Sequence, residues 1–142
     1  HHGTVRRVQC DSEPTSQLQR VPSEWPSQDL IDLYNAADAF IFPSYIESFG
    51  IALIEAMAAG LPVITTDGPG CIDVIDNGSY GEMVPVGEPS ALARAMHRLH
   101  TDEELRTHYV RASRKRAKDF SWNSIVRQYI TAYQTLISKS SL

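Results

Sequence analysis

The sequence predicts an α/β fold built on a parallel sheet. Segments with apolar residues at helical spacing alternate with short, wholly apolar runs, which are typical of strands buried on both faces. This alternation favours parallel strands joined by helical crossovers. The chain has 142 residues, of which 42% are hydrophobic, so it has room for one domain with a real core.

Residues 1–26 are the least informative part of the chain. They begin with His1-His2-Gly3, which is typical of the end of a purification tag. We interpret the rest of this segment as divergent or truncated lead-in strands, with short strands predicted at residues 4–9 and 18–21. The domain itself is predicted over residues 27–142 and ends in a helix.

The predicted domain opens with a helix, a strand and a second helix. Ser27 or Asp29 can cap the first helix. Its apolar residues at helical spacing are Leu30, Leu33, Tyr34 and Ala37. Residues 39–42 form a predicted buried strand, and residues 51–59 form a helix that is apolar around most of its circumference. Gly60 stands where a left-handed residue ends a helix.

The middle of the chain continues the alternation. Residues 61–66 predict a second buried strand, and residues 67–70 predict a turn. A short helix at residues 72–75 and a last strand at residues 81–86 follow.

Three helices complete the predicted domain. The first covers residues 90–100 and has an apolar side formed by Leu92, Met96 and Leu99. Residues 101–104 have the form of a capping box and open the next helix, whose apolar stripe is Leu105, Tyr109 and Ala112. Ser121 can cap the final helix, in which apolar residues recur at Ile125, Tyr129, Tyr133 and Leu136.

The composition disfavours several classes of protein. A net charge of −4 gives no basis for general nucleic-acid binding. No apolar run reaches the length of about 18 residues that a membrane span needs, and no signal peptide is recognisable, so we expect a cytoplasmic location. Cys10 and Cys71 lack CxxC spacing and are expected to be reduced thiols, although a pair between them stays open. His97, His100 and His108 have no carboxylate or cysteine at ligand spacing, so we expect no metal site.

Two glutamates, Glu47 and Glu55, stand eight positions apart in the block PSYIESFGIALIEAMAAGLPVI at residues 43–64. The block passes from a strand end through a turn into a helix, and parallel sheets bind ligands beyond the carboxyl ends of their strands. The free N–H groups and the dipole of the helix suit a diphosphate, which the backbone at Gly50 can approach closely. Carboxylates beside a diphosphate would repel it. We therefore expect each of them to accept hydrogen bonds from neutral hydroxyls, at opposite ends of the ligand.

The block resembles the E-x7-E signature, PSxxExFGxxxxEAMAxGxPVI, of family-4-type retaining glycosyltransferases of the GT-B class. Residues 67–75, 77–81, 87–89 and 120–122 are similar to the family's GGxxE, NGxxG, GD and FSW segments. The resemblance covers about residues 27–137 and identifies the chain as the carboxyl-terminal, donor-binding domain of such an enzyme. It implies a Rossmann-like parallel sheet with flanking helices, the C-terminal half of a GT-B fold.

The resemblance also implies a role for each motif residue. Glu47, as the catalytic residue, contacts hydroxyls of the donor sugar, and Glu55 accepts from the ribose of the nucleotide. Donor-binding contacts are implied for the residues Ser48, Phe49, Gly50 and Ile51. The implied reaction transfers a hexose from a nucleotide-diphosphate sugar with retention of configuration, without a cofactor or a bound metal. Independently of the resemblance, Glu55 lies in an otherwise apolar stretch, where a carboxylate needs a partner. Phe49 is as well suited to packing the loop against the sheet as to contacting a ligand.

The sequence departs from the family pattern at two positions and lacks some expected parts. Pro69 replaces a glycine of GGxxE and removes a backbone donor, and Asp73 stands where glutamate is commoner. No Arg…Lys pair that grips a diphosphate is recognisable, and the basic residues within 111–118 are interpreted as a solvated helix face. We therefore expect a fragment that is inactive alone. Its expected partners are a nucleotide sugar and a missing N-terminal acceptor domain, with peripheral membrane association open through that domain and no nucleic acid.

One alternative to an active glycosyltransferase domain stays open. Pro69 and the missing basic pair favour a non-catalytic GT-B-derived binding or regulatory domain, whereas intact Glu47, Gly50 and Glu55 count against it. A nicotinamide or flavin domain needs a GxGxxG run, which the sequence lacks. A further rival is a sugar-nucleotide epimerase or a phosphorylase-like relative on the same fold; phosphorylase-like enzymes need a pyridoxal lysine, and the central motif has no lysine. The donor base, the donor sugar and the acceptor are not identified.

Overall fold

In a computed structural model of the protein, residues 27–140 form a three-stranded parallel sheet flanked by six α-helices. The elements in chain order are α1 (Ser27–Ala36), β1 (Phe40–Phe42), α2 (Ile51–Ala59), β2 (Val63–Thr66), α3 (Cys71–Ile75), β3 (Glu82–Val84), α4 (Pro89–Thr101), α5 (Glu103–Ala117), a 3-10 turn (Lys118–Phe120) and α6 (Trp122–Ser140). The predicted α/β fold, a Rossmann-like parallel sheet with flanking helices, is confirmed. The strands predicted at residues 4–9 and 18–21 lie outside the described residues.

The sheet has the order β1-β2-β3, so β2 is its central strand. Phe40 pairs with Val63 and Ile64 pairs with Glu82 in parallel register. All four residues of β2 are buried, whereas the three residues of β1 are only half-buried. The prediction of a fully buried strand is therefore confirmed for β2 and wrong for β1, because within the described residues β1 lies at an edge of the sheet.

The two faces of β2 support two apolar clusters. Successive side chains of a strand point to opposite faces, so Val63 joins one cluster and Ile64 joins the other. The first cluster lies under α2 and α3 and contains the buried residues Leu53, Ala56, Met57, Leu61, Val63, Cys71, Val74 and Ile75. The second contains Ile64, Val84, Ala95 and Leu99. Helices thus cover both faces, as a parallel sheet requires.

Two left-handed glycines delimit α2. Gly50 precedes the helix with φ 79°, and Gly60 follows it with φ 89°. The Gly60 amide donates to the carbonyl oxygens of Ala56 and Met57, which closes the end of the helix. The predicted bounds of this helix, residues 51–59, agree with the structure.

The apolar side of α4 differs from the prediction at one position. Met96 is 46% exposed, whereas Ala95 is fully buried between the helix and the sheet. Periodicity alone could not separate these neighbours, because the smaller side chain is the one that fits the close approach of α4 to the sheet. Leu99 is buried and Leu92 is half-buried, as predicted.

Capping of the last helices is set by hydroxyl and carboxylate side chains. Asp102, not Thr101, caps α5, since an Asp102 carboxylate oxygen accepts from the amide of Leu105 at 2.9 Å. The predicted capping box therefore began one residue too early, and Thr101 belongs to the last turn of α4. The predicted cap of α6 is confirmed, because the Ser121 hydroxyl accepts from the Ser124 amide at 3.3 Å.

Candidate functional site

The loop of residues 43–50 leaves the carboxyl end of β1 and is held by the next strand and its turn. The Thr66 hydroxyl donates to the carbonyl oxygen of Ser44. The Glu47 amide donates to the carbonyl oxygen of Pro69 at 3.3 Å. These bonds join the ends of two neighbouring strands and fix the loop in one position.

The turn after β2 packs directly on the Glu47 loop. Gly70 has φ 81°, and a β-carbon placed on it would overlap the carbonyl oxygen of Glu47. Pro69 contributes its carbonyl oxygen here. Asp73 is exposed, and its backbone carbonyl accepts from Arg116 at 2.7 Å.

The Glu47 side chain is half-buried and partly fixed. One carboxylate oxygen accepts from the amide of Ser48 at 2.9 Å. The second oxygen has no hydrogen-bond partner within residues 27–140, so it is available to a ligand hydroxyl. The structure thus leaves Glu47 with one anchored and one open acceptor.

The amino end of α2 presents unpaired amides beside this loop. Gly50 is buried, and its carbonyl oxygen accepts from Leu53 at 3.0 Å and Ile54 at 3.3 Å. The amides of Ile51 and Ala52 precede those donors and have no partner in the part of the chain that is described. Unpaired amides at the positive end of a helix dipole form an anion site.

Two apolar side chains flank the helix start. Phe49 is 47% exposed and meets Phe120 edge to face, with ring centroids 5.7 Å apart. Ile51 is 65% exposed. Phe49 therefore packs against the 3-10 turn, whereas the packing role weighed for it was against the sheet.

Glu55 lies at the surface of α2 and has a partner that the sequence did not reveal. The Tyr34 hydroxyl donates to a Glu55 carboxylate oxygen at 3.1 Å. Burial is the main cause that raises the pKa of Tyr34 to about 12, and the hydrogen bond to Glu55 and its charge add to it. Helical periodicity places Tyr34 only among the apolar residues of α1, and its phenol hydroxyl is the one signal for a polar role.

Arg116 contradicts the prediction of a solvated basic face at residues 111–118. Its guanidinium donates to the carbonyl oxygens of Val74 at 2.9 Å and Asp73 at 2.7 Å, and it lies 4.7 Å from the centre of the Phe120 ring. It therefore satisfies carbonyl groups at the end of α3. The four-residue spacing from Arg116 to Phe120 was the available sequence signal. The prediction agrees with the exposure of Arg111, Arg114, Lys115 and Lys118.

Residues 27–140 contain neither a cluster of metal ligands nor a membrane-spanning helix. No three His, Cys, Asp or Glu side chains in this range are grouped so that they could hold a metal ion. No helix in this range is long and apolar enough to cross a membrane. Cys71 is a buried free cysteine, and Cys10 lies outside the described residues.

The fold is that of a Rossmann-like domain, and the Glu47 loop and the amino end of α2 follow the carboxyl end of β1. Parallel sheets bind ligands beyond this end of their strands. The model of the family described as "Glycosyl transferases group 1" matches residues 9–116, and the chain belongs to this family. The predicted resemblance to the carboxyl-terminal half of a GT-B glycosyltransferase is thereby confirmed for family and fold.

Individual relatives are consistent with this assignment. The chain is 36% identical over 107 residues to phosphatidyl-myo-inositol mannosyltransferase of Mycobacterium leprae, a match covering 75% of this chain and 29% of the relative. It is 38% identical over 113 residues to the capsular polysaccharide biosynthesis glycosyltransferase CapM of Staphylococcus aureus, a match covering 79% of this chain and 30% of the relative. Sucrose-phosphate synthase of Thermosynechococcus elongatus superimposes with a TM-score of 0.65 at 33% identity, covering 75% of this chain and 27% of that structure. The chain therefore spans less than a third of the length of these relatives.

Proposed function

We propose that the chain is the donor-binding part of a retaining hexosyltransferase that uses a nucleotide-diphosphate sugar. One observation carries the proposal: Glu47, with an open carboxylate oxygen, lies in the loop that leads directly into the unpaired amides of Ile51 and Ala52. A sugar hydroxyl and a neighbouring diphosphate match these two features, since the first needs an acceptor and the second needs donors.

The order of groups along α2 suggests how the donor lies. The diphosphate binds the amides of Ile51 and Ala52 at the helix start, with the FG backbone of Phe49 and Gly50 close to it. Glu55 is four residues further along, a rise of about 6 Å, so it reaches the ribose on the nucleotide side. Glu47, in the loop that precedes the helix start, takes the sugar.

The chemistry of this arrangement is charge stabilisation on the departing diphosphate. Fixed amides aimed at developing negative charge stabilise it without having to reorganise. Glu47 would position the sugar hydroxyls while the leaving group departs. In the proposed mechanism the acceptor comes from another domain, so we expect the 142-residue chain alone to bind the donor weakly and to show little or no transfer.

Calorimetric titration tests the proposal. Uridine, guanosine and adenosine diphosphates and their sugar conjugates are titrated into the chain and into its variants Glu47→Ala and Glu55→Ala. We expect saturable binding with one base. Glu55→Ala should weaken both the free diphosphate and the conjugate, whereas Glu47→Ala should weaken the conjugate alone.

The matched control is Glu104→Ala, which removes an exposed glutamate from the first turn of α5. It should leave every affinity unchanged. Circular dichroism of each variant establishes that it is folded. Failure of the folded chain to bind any of these compounds would contradict donor binding and favour a non-catalytic binding or regulatory domain.

A further inference from the structure

A hydrogen bond links the first two helices at the proposed nucleotide end of the site. The Tyr34 hydroxyl on α1 donates to a Glu55 carboxylate oxygen on α2 at 3.1 Å, across 21 positions of sequence. Within residues 27–140, Tyr34 is the only side chain that is hydrogen-bonded to Glu55. Glu55 is exposed, and its other carboxylate oxygen has no hydrogen-bond partner within the same range.

The ring that carries this hydroxyl is anchored to the strand that leads into the site. Tyr34 is half-buried and meets Phe40 edge to face at 5.8 Å, and Phe40 stacks on Phe42 at 5.8 Å. Both phenylalanines belong to β1, which continues into the Glu47 loop. Tyr34 therefore offers a donor whose position is set by the sheet rather than by its own rotamers.

An exposed glutamate without a partner samples many rotamers, and binding would have to order it at a cost in entropy. A carboxylate has two oxygens with about four acceptor sites. Tyr34 occupies one oxygen of Glu55 and leaves the other for the hydroxyls of a ligand. At neutral pH the Tyr34 phenol is protonated, since its pKa lies at about 12, so it remains a hydrogen-bond donor.

We infer that Tyr34 is a positioning residue for nucleotide recognition: it holds Glu55 so that the free carboxylate oxygen selects a ribose over a 2′-deoxyribose. This inference rests on the proposed function, in which Glu55 faces the ribose. A simple tie between α1 and α2 would also explain the bond, but such a tie has no effect on the choice between two sugars. Discrimination between ribose and deoxyribose therefore separates the two roles.

The test compares ADP, GDP and UDP with their 2′-deoxy counterparts by calorimetry on the chain and on Tyr34→Phe. We expect the unmodified chain to bind the ribonucleotide of its preferred base more tightly than the deoxynucleotide. Tyr34→Phe should weaken the ribonucleotide by about fivefold, as expected for one lost hydrogen bond, and should weaken the deoxynucleotide less. In a Glu55→Ala background, Tyr34→Phe should have no further effect. Tyr109→Phe, at another half-buried tyrosine, is the matched control. It should leave the ratio of ribonucleotide affinity to deoxynucleotide affinity unchanged.

Each outcome decides between distinct conclusions. If the chain binds nucleotides and Tyr34→Phe weakens ribo- and deoxynucleotides equally, or weakens neither, the positioning role is overturned and donor binding stands. If the folded chain binds none of the six nucleotides, the proposed function fails and the positioning role fails with it. If the ratio of ribonucleotide affinity to deoxynucleotide affinity falls in Tyr34→Phe but not in Tyr109→Phe, both donor binding and the positioning role of Tyr34 are supported.

Discussion

The carbonyl oxygen of Glu47 lies so close to Gly70 that a β-carbon on Gly70 would overlap it. Gly70 also has φ 81°, a conformation that residues with side chains rarely adopt. Since the Glu47 amide donates to the carbonyl oxygen of Pro69 at 3.3 Å, the two loops are interlocked in both directions. The position of Glu47 therefore depends on the turn that follows β2.

Gly70→Ala should displace the Glu47 loop and weaken binding of the nucleotide sugar. Strain of the positive φ is expected to cost about 1–3 kcal/mol of unfolding free energy, and the overlap with Glu47 adds to it. We expect the affinity for the sugar conjugate to fall more than the affinity for the free diphosphate, because in the proposed function the diphosphate binds the helix start and Glu47 contacts the sugar. Urea unfolding and calorimetry measure the two effects.

Gly78→Ala is the matched control for this substitution. Gly78 has φ 91°, so alanine meets similar strain, but the nearest atom to its β-carbon is 3.8 Å away. It should lower stability without changing donor binding. Equal loss of affinity in both variants would show that the contact between Gly70 and Glu47 has no specific role.

The stability of the chain should depend on pH through Tyr34. Its pKa is raised to about 12 in the folded protein, mainly by burial, from an ordinary value of 10.0. A raised folded pKa means that the contribution to stability is complete below pH 10 and is lost as pH rises toward 12. Unfolding free energy should therefore fall across this range, and Tyr34→Phe should make the fall shallower.

Urea unfolding at intervals from pH 9 to pH 12 measures this dependence. Tyr45→Phe is the control, because Tyr45 is 68% exposed and its substitution should leave the slope unchanged. The slope should also become shallower in Glu55→Gln, which removes the charge beside the phenol. Identical slopes in the unmodified chain and Tyr34→Phe would contradict the assigned shift.

Local patterns predicted much of the fold and only part of the site. The bounds of α2 follow from its apolar residues and from Gly60, because both signals are local to the helix. The Glu47 loop was located by its place between β1 and α2. The partner of Glu55 was not predictable, since Tyr34 reaches it only through the packing of α1 against α2, a tertiary contact that periodicity does not encode.

Errors of one residue arose where two neighbours were chemically equivalent. Thr101 and Asp102 can both cap a helix, and the choice of Asp102 follows from where α4 ends. Met96 and Ala95 are both apolar, and only the distance between α4 and the sheet selects the smaller one. Such choices depend on three-dimensional fit.

Arg116→Ala should destabilise the fold more than removal of Arg111, an exposed arginine of the same helix. The substitution leaves the carbonyl oxygens of Val74 and Asp73 without their donor, and the first of these bonds is partly buried. We expect a loss of about 1–3 kcal/mol in unfolding free energy. Lysine should not restore it, because it lacks the planar fork that reaches two carbonyls.

Arg111→Ala removes an exposed arginine of the same helix and should change the unfolding free energy by less than about 0.5 kcal/mol. Urea denaturation of the three variants and the unmodified chain gives the comparison. If the two alanine variants have equal stability, the bonds of Arg116 to α3 contribute nothing measurable.

The final helix carries an apolar face that the described residues leave exposed. Trp122 is 83% exposed, and Tyr129 and Tyr133 are each 61% exposed. Their spacing places Tyr129 and Tyr133 one turn apart, with ring centroids at 6.3 Å. An exposed face of this kind is typical of an interaction surface, and in the proposed enzyme it would pack against the acceptor domain.

Without that domain, the same face should make the 142-residue chain associate with itself. The weight-average mass in sedimentation equilibrium is expected to rise with protein concentration, and Tyr129→Glu combined with Tyr133→Glu should abolish the rise. Gln128→Glu combined with Gln134→Glu adds the same charge at exposed polar positions of the helix and should leave association intact. A chain that stays monomeric at every concentration, or that responds equally to both pairs, would contradict association through this face, because burial of Tyr129 and Tyr133 is the driving force invoked.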